Sequence, residues 1–315
     1  MFQILVGSKI PFMKYRRHAY ILSALIILAG AASLIVKGGF RLGVDFAGGI
    51  LVEYRFDRVI QADDLRAALS GGGWAGAEIQ ASEGGRTFLI RIPVPDERQA
   101  GEQSPSAQML RLVKEKVPGI EGELLREEFV GPRVGRELRG KAFWAVLISL
   151  LLILTYVTIR YEFKYGLGGI IALAHDVLVV MAFLSFMNKE ITIPVIAALL
   201  TVAGYSINDK IVVFDRVRER KKGSGRQADA AMIDMSLNQT LSRTIITGVC
   251  VILTLETLLL MGGAVIHDFA FAILVGVLVG TYSSIFIGSG ISLDLILAAE
   301  DRRLEREERA AKLKA

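Results

Sequence analysis

The sequence predicts a polytopic α-helical membrane protein of six transmembrane helices, with an α/β ferredoxin-like periplasmic domain between helices 1 and 2. Three observations carry that prediction. Six apolar runs reach membrane length, Lys and Arg gather in alternate connections, and one polar stretch, residues 37–141, separates the first run from the second. An apolar run of about 18 residues or more is long enough to span the hydrocarbon core as a helix.

Composition excludes several classes of function. The hydrophobic share is 52% and mean hydropathy is +0.47, more than a soluble domain of this length requires. The net charge of +5 is modest. Its cations sit beside the apolar runs, a pattern of insertion signals rather than a nucleic-acid patch. Cys250 is the single cysteine, so no disulfide forms within the chain, no Cys-based metal site is possible, and a packed thiol is expected. No P-loop, zinc-ligand cluster, HExxH or GxSxG pattern occurs. Neither an ATP-driven nor a hydrolytic function has support, and no enzymatic activity, cofactor or metal is expected.

The predicted spans are residues 19–36, 142–159, 167–187, 191–214, 245–261 and 269–293. A signal peptide competes for the first, because Lys14, Arg16 and Arg17 precede it and Ala29-Gly30-Ala31 resembles a cleavage site. The run continues unbroken through Ser33-Leu34-Ile35-Val36, which favours a retained anchor. Flanking charge sets the orientation. The N-terminal segment 1–18 carries Lys9, Lys14, Arg16 and Arg17, and the connection after the second span carries Arg160 and Lys164. After the fourth span come Arg216, Arg218, Arg220, Lys221, Lys222 and Arg226. The short connections 188–190 and 262–268 hold one Lys and no Arg. The positive-inside rule therefore places both termini in the cytoplasm, with 188–190 and 262–268 outside.

The external stretch reads as a small domain. Residues 50–56 alternate apolar and polar as a half-buried strand does. Residues 62–69 have helical spacing and stop at Gly71-Gly72-Gly73. Two strands, 77–82 and 86–92, flank the hairpin signal Glu83-Gly84-Gly85. A second amphipathic helix, 105–117, ends at Pro118-Gly119, and 123–130 is the final strand. The order β-α-β-β-α-β is that of a split βαβ unit. No acid, base and nucleophile cluster there, so binding or mechanical work is expected of it. On the opposite side, 215–244 forms a cytoplasmic loop whose residues 224–241 open with a capping box, Ser224 to Gln227. Their apolar face (Met232, Ile233, Leu237, Leu241) predicts a helix lying in the membrane interface. The tail 294–315 is highly charged, and the i,i+4 spacing of Glu305 and Arg309 fits a solvated helix.

The acid Asp209 lies within the fourth apolar run. A carboxylate withdrawn from water is costly unless it is paired or takes up a proton, so an acid at such a position marks an ion path, a proton relay or a structural ion pair. Arg243 stands about one turn into the fifth run from the same side and would lie at similar depth if the helices pack together. Lys210 follows Asp209 directly, but consecutive helical residues point about 100° apart, and a Lys there can snorkel toward the cytoplasmic interface. His175 and Asp176 make a second polar pair, either a proton relay or a hydrogen-bonded tie between helices. Asn208, Ser206 and Thr201 read as polar packing around Asp209. Glu256 would face a partner or water. Gly276 and Gly280, with Ser283 and Ser284 beyond, form a small-residue stripe for close helix packing.

These residues carry a family resemblance. Gly43-Val44-Asp45-Phe46-Ala47-Gly48-Gly49, Ala174-His175-Asp176-Val177, Gly204-Tyr205-Ser206-Ile207-Asn208-Asp209, Val212-Val213-Phe214-Asp215-Arg216-Val217-Arg218-Glu219 and Gln239-Thr240-Leu241-Ser242-Arg243-Thr244-Ile245, with the 276–284 stripe, resemble the SecD/SecF family of Sec protein-translocase accessory subunits, within the resistance-nodulation-division exporter superfamily. The resemblance implies a proton-driven role in late steps of protein export. It implies SecD as a partner with a matching set of six spans, association with the SecYEG channel and with YajC, and unfolded preprotein as substrate. It also implies a proton path through Asp209 and Arg243, to which the intramembrane polar residues themselves add His175, Asp176 and Asn208 as candidates. Lys210 stands where the family usually has a small hydroxyl residue, which leaves the coupling ion, H⁺ or Na⁺, open. A scaffold for partner subunits and half of a small-molecule proton antiporter are the alternative readings.

Overall fold

A computed structural model describes residues 8–74, 76–92, 104–225 and 227–314. Parts of the predicted segments 1–18, 37–141 and 294–315, and the loop cation Arg226, lie outside the described residues. A short 3₁₀ turn, Phe12–Tyr15, leads into α1 (Arg16–Lys37). The chain leaves it through α2 (Val44–Ala47) and builds β1 (Gly49–Phe56), α3 (Ala62–Gly71), β2 (Glu78–Ser82), β3 (Thr87–Ile92), α4 (Pro105–Lys116) and β4 (Gly122–Val130). It then returns to the bundle through α5 (Pro132–Arg160), α6 (Phe163–Phe186), α7 (Ile193–Ser224) and α8 (Ala230–Met261). The last helix is continuous: α9 (Gly263–Ser283), a π turn (Ser284–Gly288) and α10 (Ser289–Lys314). Among the described residues six helices are long and apolar enough to cross a membrane.

The external sheet has strand order β2-β3-β1-β4, antiparallel throughout, the arrangement expected of a split βαβ unit. Period-two alternation decides its two faces. Ile50, Val52, Tyr54 and Phe56 of β1 and Phe88, Ile90 and Ile92 of β3 point to one side, where Leu65 and Leu69 of α3 and Met109 and Val113 of α4 complete a core. The intervening position Arg91 points the other way and meets the bundle. There Glu190, in the turn between α6 and α7, forms ion pairs with both Arg41 and Arg91, and Glu78 of β2 pairs with the same two arginines. Burial pulls the Arg91 guanidinium below its ordinary pKa, and the Glu78 charge opposes that shift. The turn itself is held by left-handed Asn188 (φ 51°) and by the Lys189 N–H donating to Leu184 O at 2.8 Å, a helix C-terminal closure. Asp45 of α2 accepts from the Ile193 N–H at 2.9 Å, at the start of α7.

Small residues let the helices approach. A Cβ on Gly276 would lie 2.1 Å from a Val202 methyl, and one on Gly30 2.3 Å from Ala182 Cβ. The first and last helices are tied by Asp294, which accepts from Arg16 Nε and Tyr20 Oη, both at 3.0 Å.

Two expectations about the connections between spans are corrected. The segment 224–241 is no separate interfacial helix: Ser224 ends α7, and α8 begins after Asp229, whose side chain accepts from the Met232 N–H at 2.8 Å. From there one helix continues through the fifth span. Its face Met232, Ile233, Leu237 and Leu241 packs on Phe12, Met13, Val213, Phe214 and Val217, so that apolar surface is consumed inside the protein. The predicted 262–268 connection shrinks to Gly262, because α9 starts at Gly263. In the tail the i,i+4 ion pair observed is Arg303 with Glu307.

Gly276→Ala is expected to destabilise the bundle by about 1–3 kcal/mol through overpacking, seen as a lower unfolding midpoint in detergent, with Val202→Ala in the same chain recovering most of it. Glu190→Ala frees Arg41 from one of its two carboxylates. Limited trypsinolysis at Arg41 should accelerate while the membrane bundle remains resistant.

Candidate functional site

The polar residues of the spans fall into two groups, one closed and one open. The closed group centres on Asp176 of α6, which is fully buried. Its Oδ1 accepts from His175 Nδ1 at 2.9 Å. Its Oδ2 accepts from Ser206 Oγ at 2.5 Å, Ser283 Oγ at 2.8 Å and Lys210 Nζ at 2.9 Å. Ser206 and Lys210 are one helical turn apart on α7, so both reach α6 from the same face. Ser283 comes from the end of α9, where the chain enters the π turn. Ser289 Oγ donates to Ser284 O at 2.7 Å, five residues back, within that turn. The lysine stem packs beside Gly288, where a Cβ would lie 3.4 Å from Lys210 Cε. π turns often occur at functional sites for this reason, because they displace one face of a helix by a residue. From His175 the contacts continue outward. Nε2 lies 2.9 Å from Ser23 Oγ of α1, Ser23 lies 3.2 Å from Tyr282 Oη, and Tyr282 donates to Ala19 O at 2.8 Å.

The open group centres on Asp209. Its side chain is buried, yet Oδ2 has no hydrogen-bond partner. Arg243 on α8 lies within electrostatic reach of Asp209 but is itself exposed, and the two form no ion pair among the described residues. The expected Asp209–Arg243 contact is therefore not made within this chain. Asn208 and Thr201 are exposed on α7, together with Gly204, so they do not gather around Asp209. The 100° step between neighbours that buries Asp209 turns Asn208 outward. Glu256 and Cys250 are also exposed on α8, and the expectation of a packed thiol is corrected. A stripe of polar and small residues thus lies bare along α7 and α8, a surface that would be costly against lipid alone.

Lys210 is the clearest correction. It does not snorkel: it is fully buried and paired with Asp176. The same 100° step that separates it from Asp209 aims it at α6. Ser23, Tyr282 and the pairing role of Ser283 were not singled out in the sequence. The signal for Ser283 was the small-residue run in the last span, which reads as close packing until a carboxylate is placed opposite it; Ser23, in the first span, and Tyr282 carry no such signal. No group of three or more His, Cys, Asp or Glu that could hold a metal occurs among the described residues.

Comparison with known proteins places this geometry. The family model described as "Protein export membrane protein SecD/SecF, C-terminal" matches residues 111–298, and the "SecD/SecF GG Motif" matches residues 33–58. The chain belongs to the SecD/SecF family. It is 41% identical over 303 residues to the protein translocase subunit SecF of Vibrio alginolyticus, covering 95% of this chain and 94% of that one. With the SecF subunit of Haemophilus influenzae it shares 40% over 300 residues, covering 93% and 90%. A SecDF subunit from Thermus thermophilus is 40% identical over 311 residues, covering 96% of this chain but 40% of the relative. The crystal structure of SecDF from Thermus thermophilus superimposes with a TM-score of 0.81 at 37% identity, over 95% of this chain and 40% of that one. SecDF in a super-membrane-facing form gives 0.69 at 36% identity, over 98% and 41%. This SecD/SecF-family chain is thus a multi-pass membrane protein equivalent to about two fifths of the fused SecDF polypeptides.

Asp176→Asn removes the charge that Lys210 faces. Breaking one half of a buried ion pair costs about 3–5 kcal/mol, so the unfolding midpoint in detergent should fall sharply. Asp176→Asn combined with Lys210→Met should recover much of the loss, because no lone charge then remains.

Proposed function

We propose that this chain is an auxiliary subunit of a preprotein translocase that uses the proton gradient to promote late steps of export across the inner membrane, with both termini cytoplasmic and the α/β domain periplasmic. The observation that carries the reading is Asp209: a buried carboxyl with an unpartnered oxygen, on a helix that leaves Asn208 and Thr201 bare beside the exposed Arg243 and Glu256 of α8. A carboxyl held by fixed donors, as Asp176 is, has no reason to exchange its ion. One that lacks them exchanges when its surroundings move. Arg243, near but unpaired, supplies a cation whose approach favours the ionised acid and whose withdrawal favours the protonated one.

The bare stripe of α7 and α8 fits SecD, the segment that the fused relatives carry in the same chain. In this arrangement Arg243, Asn208, Thr201 and Glu256 face a partner bundle rather than lipid. SecYEG, YajC and the unfolded preprotein are partners by the same family reading. The route from site to domain is short. The helix that bears Asp209 begins beside Asp45 and Glu190, and Glu190 grips Arg91 of the sheet. A tilt of α7 therefore pulls on β3. One charge crossing about 100 mV is worth about 2.3 kcal/mol, so a few protons suffice to rock a small domain.

A scaffold role accounts for the closed Asp176–Lys210 group but leaves Asp209 as an unexplained cost. Asp209→Asn separates the two. In membrane vesicles containing the assembled complex, gradient-dependent export should drop to the rate seen without an imposed pH gradient, while co-purification with SecD is retained. Export at the full rate from an assembled Asp209→Asn complex would overturn the proposal.

A further inference from the structure

The ammonium of Lys210 sits in a cage of oxygens whose hydrogens are all accounted for. Nζ donates to Asp176 Oδ2 and Ser283 Oγ at 2.9 Å each, and to Ser206 Oγ. A lysine ammonium has three N–H donors and no lone pair, so each donor is used once. Ser206 Oγ donates to the same carboxylate oxygen at 2.5 Å, and Ser283 Oγ has that oxygen at 2.8 Å and Gly280 O at 3.2 Å as acceptors, so both hydroxyls spend their hydrogens elsewhere and turn lone pairs toward the nitrogen. Three oxygens from α6, α7 and the end of α9 therefore converge on one positive point, and one of them carries a full negative charge. Convergent hard oxygens with a single carboxylate are the ligand chemistry of a small hard cation.

We infer that Asp176 Oδ2, Ser206 Oγ and Ser283 Oγ form a latent sodium-type cation site that Lys210 fills with a tethered charge, so that the native chain needs no exchangeable ion there. The space supports this as well as the ligands. The lysine stem runs past Gly288, where a built Cβ would lie 3.4 Å from Lys210 Cε and 3.6 Å from Cδ, so a shorter residue at 210 vacates the volume of that stem for an ion with water beside the oxygens. Once the ammonium is gone, the remaining donors are two hydroxyls on Oδ2 and His175 on Oδ1, and a buried carboxylate without its cation takes up a proton or a replacement cation, so sodium competes with the proton for the site. The inference concerns the chain's own binding chemistry and stands independently of its role in export.

The test uses the purified full chain in detergent and compares thermal unfolding in sodium chloride with unfolding in choline chloride at equal concentration. A ligand bound only by the folded state raises the midpoint with its concentration. The native chain should unfold at the same temperature in both salts. Lys210→Ala should unfold several degrees higher in sodium chloride than in choline chloride, and Lys210→Ala with Ser283→Ala should lose most of that difference. A sodium-specific rise in the native chain, no rise in Lys210→Ala, or a rise that persists unchanged without the Ser283 hydroxyl would each overturn the inference. If Lys210→Ala yields no folded protein, Lys210→Thr replaces it, and failure of both to fold in sodium chloride also overturns it, since the oxygens would then have failed to hold the substitute ion.

Discussion

Inside a bilayer no water is at hand to satisfy a stray donor or acceptor, so every polar group in these helices needs a protein partner or a reason to lack one. The Asp176–Lys210 pair is where that constraint presses hardest, because two opposite charges are fully withdrawn from solvent within the bundle. The geometry of its surroundings follows from it. Ser206 must lie one turn from Lys210, Ser283 must reach across from the last helix, and the π turn after it must shift the backbone aside. The lysine stem passes Gly288 within ordinary contact distance of where a Cβ would stand. Three helices are thereby fixed in rotation and depth by one set of hydrogen bonds.

That rigidity gives the neighbouring acid its meaning. Asp209 and Lys210 are adjacent in sequence yet belong to opposite sides of α7. One side is packed and saturated. The other opens onto a stripe where Arg243, Asn208 and Thr201 have no cover in this chain. A device that converts ion exchange into movement needs both: a stiff part that keeps its shape and a yielding part that answers to charge. The ionic contacts of Glu190 with Arg41 and Arg91 join the turn before α7 to the external sheet.

Much of this was legible from residue order alone. Six spans follow from apolar length, and the split βαβ domain follows from period-two strands punctuated by glycine, since both signals are local. Asp209, His175 and Asp176 stood out because ionisable residues are rare in apolar runs. What one chain cannot announce is direction around a helix in three dimensions. Lys210 was read as reaching for the interface because a lysine near a helix end usually does so. Its true target is a carboxylate 34 positions away, and only tertiary packing reveals that. The same holds for the 224–241 stretch: its apolar face was plain, but whether lipid or protein would cover it depended on where the first turn of the chain, Phe12 and Met13, would settle. Arg243 failed to meet Asp209 for a related cause, since its position on α8 faces out of the bundle.

The π turn at Ser284–Gly288 leaves the final helix with a residue more than an α-helical path would use. Everything beyond it, including the Asp294 link to Arg16 and Tyr20, is phased by that surplus. Were the helix to relax into ordinary α geometry, its distal half would swivel by about 100°, unhooking the first helix from the last. A one-codon deletion within the turn, by contrast, removes the surplus itself and lets ordinary α geometry return with the distal half still in phase, so what must be kept is the match between residue count and turn type.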